Sequence, residues 1–194
     1  SLLPVQCTHN YKVKIVNTTN VDADDMWVRF VSSASDYSAG SGAWVESNEP
    51  AIKYKLDPAT MPHQLVSEQD AAGNIVFTYS AIAWENRDVG DEVTNPTPSF
   101  VGQKIRNMFF FRNRFGFLTG GTLVLSKAGS FYDFWAGSAM VVAEDDPIDI
   151  SASSTKPVFL NYVKTTSAGL DVYVDPQKGH DYAITVDVAR GVGK

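Results

Sequence analysis

Residues 95–135 read NPTPSFVGQKIRNMFFFRNRFGFLTGGTLVLSKAGSFYDFW, and the reading of this stretch decides the fold. Pro96 and Pro98 each fix φ and push the residue before them out of the helical region, so the segment enters extended. Residues 105–111 are rich in aromatic and aliphatic side chains, and Asn113 offers a turn. Residues 114–119 run back with Phe115 and Phe117 two apart on one face. Gly120 and Gly121 are expected to supply positive φ for a tight hairpin into a third strand, 122–126. The expectation is an antiparallel meander with Phe109, Phe111, Phe115 and Phe117 mainly buried. Lys104, Arg106 and Arg112 fall in register with Phe110, and Ile105, Phe109 and Phe111 in the opposite register, which predicts one core face and one wet face.

Toward the N-terminus, 11–16 and 26–31 alternate as the strands of a hairpin, after a loose lead-in over 1–10. The Ser-rich and Gly-containing stretch 32–42 predicts an exposed, mobile loop. Short strands are expected at 43–46 and 52–56, followed by a double-proline connection over 57–63. Residues 64–66 and 75–79 flank a turn at 71–74, and 80–95 is expected to be an irregular loop anchored by Trp84. Toward the C-terminus, the aromatic group Phe131, Tyr132, Phe134 and Trp135 is suited to closing a core edge. An acidic turn over 144–147 leads to an extended or short helical segment at 148–154, then to strands at 158–163 and 170–174. The predicted class is all-β, divided into an antiparallel sheet domain over 1–94 and a second β region over 95–194.

Composition narrows the function. The chain has 194 residues, 44% of them hydrophobic, enough for packed cores. Sixteen basic residues stand against 22 acidic ones, for a net charge of −6, so contact with DNA is expected to repel rather than adhere. The single cysteine, Cys7, excludes an internal disulfide and Cys-based zinc motifs. No apolar run approaches the roughly 20 residues that would span a bilayer, so membrane insertion is not expected.

Several separated motifs resemble the tail tubular protein B, or nozzle, family of short-tailed bacteriophages of the T7 type. They are Pro96 to Gly102, Phe110 to Leu118, Leu125 to Gly129 and Asp146-Pro147-Ile148-Asp149, with Asp24 to Phe30 and Asp57 to His63 upstream. The resemblance covers roughly residues 8–165. It implies a non-enzymatic virion component with a β-propeller core, so that 95–194 would hold one blade-like meander and the start of the next, a partial propeller. It also implies a ring of identical copies, joined to portal-adaptor and tail-fibre proteins, through which DNA is ejected without specific binding. Such a protein resides in the virion, and in the host cytoplasm before assembly. Residues 182–194 instead resemble the first strand of the nuclease domain in phage large terminases, where the aspartate, here Asp187, would bind a metal. The further carboxylates of that fold lie beyond residue 194 or are absent, which leaves a mosaic remnant as an alternative.

Chemistry-bearing constellations are sparse. No phosphate loop has the Gly-x-x-x-x-Gly-Lys-Ser/Thr spacing and no Gly-x-Ser-x-Gly elbow occurs. The acids Asp22, Asp24, Asp25, Asp145, Asp146 and Asp149 sit in turn-like contexts expected to be solvated, where calcium is the cation that clustered oxygens would suit. His9, His63 and His180 are scattered without ligand spacing. No catalytic, cofactor or metal residue is therefore assigned, and no cofactor is expected. The candidates for structural or interface roles are Arg106, Arg112, Arg114, Trp84 and Trp135, with Arg114 expected to bind backbone carbonyls or a carboxylate. A carbohydrate-binding or carbohydrate-cleaving domain is the other reading, resting on Trp27, Trp44, Trp84 and Trp135 as sugar platforms.

Overall fold

The computed structural model describes residues 3–16, 25–151, 160–165, 170–174 and 183–186. The described residues are all-β, and every pair of neighbouring strands is antiparallel. They form two compact units, each assembled from three segments. The first unit takes 1–54, 87–98 and 135–146; the second takes 55–86, 99–134 and 147–194.

The first unit is built on a sheet of order β1-β4-β3-β2, with β1 Gln6–Cys7, β2 Lys12–Ile15, β3 Met26–Ser32 and β4 Gly40–Glu46. The expected hairpin of β2 and β3 is present, with Val13 opposite Val28. Its core side follows the period-two alternation of β3, where Val28 and Phe30 are buried and Trp44, opposite Phe30, meets that ring edge-on at 5.3 Å. The lead-in is not wholly loose, because Gln6 and Cys7 pair with Ser41 and Gly40. The predicted loop over 32–42 is shorter than expected, since β4 begins at Gly40. A Cβ at Gly42 would meet the Val31 carbonyl oxygen and the Phe30 ring, so a residue read as loop composition is a close-approach site inside a strand. Residues 52–56 form no strand. Tyr54 instead accepts a backbone bond from Arg87 at 2.8 Å.

In the second unit, β5 His63–Gln69 and β6 Ile75–Ala81 form a two-stranded hairpin. Strands β7 Asn107–Phe111, β8 Arg114–Leu118, β9 Thr122–Leu125 and β10 Ile148–Ser151 form the predicted meander, extended by one strand into the order β10-β9-β8-β7. Strands β11 Leu160–Thr165, β12 Leu170–Val174 and β13 Ala183–Val186 make a three-stranded sheet. Asp187 and the residues after it lie outside the described residues, as do Asp22, Asp24 and His180.

Strand β7 keeps the expected single core face, with Phe111 buried and Met108 and Phe110 exposed, whereas β8 is buried on both sides. Phe109 and Phe111 stand opposite Gly116 and Arg114, whereas Phe115 and Phe117 stand opposite Phe110 and Met108, so the two phenylalanine pairs face opposite ways. One face joins Phe111, Leu118, Leu123 and Leu125 to Leu160, Val163, Leu170 and Val172 of the next sheet, with Phe109 partly buried beside them. The other carries an aromatic cluster in which Phe117 stacks on Phe134 at 5.2 Å and meets Phe100 edge-on at 4.9 Å. Every residue of β8 is buried, which an alternation argument misses because it assumes a solvated face.

The β8–β9 turn also departs from expectation. Gly120 and Gly121 are not among the positive-φ residues. The turn is closed by buried Thr119, whose Oγ1 accepts from the Thr122 amide at 3.1 Å while its own amide donates to the Thr122 carbonyl at 2.9 Å. The strained turn lies one hairpin earlier. Arg112 and Asn113 have φ of 45° and 58°, the pair of positive values a two-residue primed turn requires.

Candidate functional site

The basic turn is where the sequence places most of its candidates, and the strand register separates them. Arg112 occupies the exposed turn with its guanidinium over the Phe111 ring, 5.3 Å from the centroid. Arg114 is drawn inside by pairing with Phe111, and its Nη1 donates to the Ser126 carbonyl at 2.8 Å. Ser126 completes a buried polar knot, because its Oγ accepts from the Phe115 amide at 3.0 Å and donates to the Lys127 carbonyl at 3.1 Å. A buried arginine facing a carbonyl binds backbone at the strand end and is unavailable to a partner. Arg106 is exposed, and its amide donates to the Leu118 carbonyl at 2.8 Å.

Trp84 lies in the aromatic cluster of the second unit, with Tyr132 edge-on at 5.6 Å and the Phe134 and Phe117 rings at 6.0 and 6.1 Å. Its indole nitrogen is buried without a hydrogen-bond partner. Trp135 belongs to the first unit and lies under the guanidinium of Arg87, 4.4 Å from the ring centroid. Both tryptophans are buried, so neither presents a face to a sugar.

Arg87 itself was not singled out by sequence reasoning, because its polar, glycine-ended segment looks like an ordinary loop. The segment 87–98 is a strap whose Arg87, Asp91 and Asn95 side chains are buried. Arg87 is 0% exposed, and its Nη2 donates to Glu92 Oε1 at 2.8 Å and Thr97 Oγ1 at 2.7 Å. Its Nε and Nη1 have no partner. Burial pushes the Glu92 carboxyl upward, but the Thr97 amide and the Arg87 guanidinium more than offset this and leave it below its ordinary value. Asp91 accepts from the amides of Val93 and Thr94 at 2.9 and 3.0 Å, a turn the Asp-x-x-Thr spacing could have revealed. Asn95 donates to the carbonyls of Val89 and Ala136 and accepts from the Ala136 amide at 3.0 Å, joining two segments of its unit.

Two of the acids expected to be solvated are buried. Asp25 pairs with Lys14 at 3.0 Å, and Asp146 accepts from the Gly137 and Ala143 amides at 3.1 and 2.7 Å. Exposed Asp149 holds the Ser99 amide and hydroxyl at 2.7 and 2.5 Å. Asp146 and Asp149 work as backbone clasps. His9 accepts from the Ser32 amide at 3.2 Å, and His63 stacks on Tyr79 at 5.1 Å. Among the described residues no group of three or more His, Cys, Asp or Glu could hold a metal ion.

Comparison with known proteins adds a family. The model of a family described as bacteriophage nozzle protein matches residues 1–178. The tail tubular protein gp12 of Escherichia phage T7 is 36% identical over 175 residues, which cover 90% of this chain and 21% of that relative. The chain thus spans about a fifth of the relative's length.

Proposed function

The chain belongs to the bacteriophage nozzle protein family, and from that premise we propose that it is a structural, non-enzymatic part of a phage tail that assembles as a ring around the path of ejected DNA. The observation that carries this reading is the family match over residues 1–178. Its neighbours in the virion are other copies of itself, a portal-adaptor ring and tail-fibre proteins, and its copies wait in the host cytoplasm before assembly. In this reading β7–β10 serves as one propeller blade and β11–β13 opens the next, with their facing aliphatic side chains as the blade-to-blade contact. The net charge of −6 suits a conduit that DNA traverses without adhering. Arg106 and Arg112, exposed at the outer edge of the meander, are proposed as contacts to neighbouring subunits, while Arg114, Trp84 and Trp135 hold the units that present them.

Light scattering on the full-length polypeptide tests the proposal. A closed ring of defined mass is expected, alone or on its adaptor. A full-length protein that stays monomeric even with the adaptor ring present would overturn it.

A further inference from the structure

The β5–β6 hairpin pairs with no other described strand. Its register sets Leu65 opposite Tyr79, Ser67 opposite Phe77 and Gln69 opposite Ile75, so all of these share one face. On that face Leu65, Ile75, Phe77 and Tyr79 are 64%, 70%, 65% and 71% exposed. A two-stranded hairpin standing alone is marginal in water, and an exposed apolar patch of this kind marks a place where something else packs.

A second exposed apolar surface lies elsewhere on the same unit. The edge strand β7 presents Met108 and Phe110, 54% and 64% exposed, and Phe131 meets the Phe110 ring edge-on at 5.3 Å. The two surfaces have opposite charge. Residues 63–81 contain Glu68 and Asp70, both exposed near the hairpin tip, and no lysine or arginine, whereas 104–112 contain the exposed Lys104, Arg106 and Arg112 and no acid. A ring is built from head-to-tail contacts, which need two different and mutually complementary patches on each subunit. One chain here carries both.

We propose that the apolar face of the β5–β6 hairpin of one copy packs on the Met108–Phe110–Phe131 surface of the next copy, with the acidic hairpin tip toward Lys104 and Arg112. The assignment rests on the ring reading above and specifies its contact. A second copy is the occupant because the apolar face and its oppositely charged counterpart occur on the same polypeptide, so no other partner is needed to match either. Aromatic side chains brought together and desolvated at the centre of such a contact carry most of its binding energy.

The test uses the full-length polypeptide with Cys7→Ser. Chains carrying Phe77→Cys are mixed with chains carrying Phe110→Cys, assembled, and treated with a short bismaleimide; each variant alone is the control. Cross-linked dimers are expected only in the mixture. In parallel, Phe77→Asp is expected to raise the concentration at which rings dissociate by about tenfold or more, the scale of an aromatic anchor, with the thermal midpoint of the isolated subunit unchanged. Intact rings without the Phe77–Phe110 cross-link would overturn this contact and leave the ring reading standing. A parent protein that forms no ring would overturn both. A Phe77→Asp subunit that melts early would place the hairpin face in the subunit's own core and also overturn the contact.

Discussion

Arg87 is held with its guanidinium shut off from solvent, one nitrogen shared between Glu92 and Thr97, its plane over Trp135, and two nitrogens unpaired. Its volume contributes more to stability than its charge, since an incompletely paired buried cation offsets much of what its ion pair supplies. Arg87→Ala is therefore expected to cost about 3 kcal/mol or more through the cavity. Arg87→Met, which keeps most of the bulk, should cost less than about 1.5 kcal/mol. Urea midpoints at constant slope measure both, and equal losses would contradict the argument. Asp91 yields a pH prediction. Burial raises its carboxyl, but the donors from Thr94 and Val93, with Lys14 nearby, outweigh this and leave it below its ordinary value. The unfolded chain then binds the proton more readily, so the contribution is present above the unfolded value of about 3.9 and lost as pH falls through the lower folded value. Asp91→Ala should cost about 1–2 kcal/mol at neutral pH, and the gap between variant and parent should close below about pH 4. A gap constant from pH 7 to pH 2 would show that the charge is not what matters.

The meander depends on one absent side chain. A Cβ at Gly116 would run into the Phe109 ring and come within 2.8 Å of Leu125 Cδ2, so the strand passes only because glycine leaves room for the cross-strand ring. Gly116→Ala is expected to destabilise by about 1–3 kcal/mol through overpacking, and to cost measurably less in a Phe109→Leu background. Additive losses in that double-mutant cycle would mean that ring and glycine do not compete for the same space. The hairpins of this element also show which turn signals carry information. Asn113 was readable as a turn because asparagine tolerates the left-handed region, yet the neighbouring Arg112 has to adopt it as well. The Gly-Gly pair at 120–121 was expected to supply positive φ, but the work of that turn falls to the Thr119 hydroxyl.

Across the whole molecule, local chemistry determined the class and most of the strands. Alternation in β3 and the aromatic and glycine pattern of β7–β9 are properties of neighbouring residues, which a strand expresses wherever it lies. The motifs around Pro96, Phe110 and Asp146 likewise carried the family relationship without any coordinates. Tertiary structure alone decided how many faces of a strand are covered. Strand β8 is buried on both sides because Phe100, Phe134 and Trp84 return to one face and β11–β12 cover the other, and those segments are distant in sequence. It also decided that 87–98 and 135–146 join 1–54 in a single unit. The polar strap holding Arg87 reads as a solvated loop because its composition is that of a loop, and only the arrival of Trp135, 48 positions along, makes it an interior. A sequence states which groups a residue offers to its neighbours; which distant surface arrives to take water's place follows from long-range packing, whose partners no local pattern names.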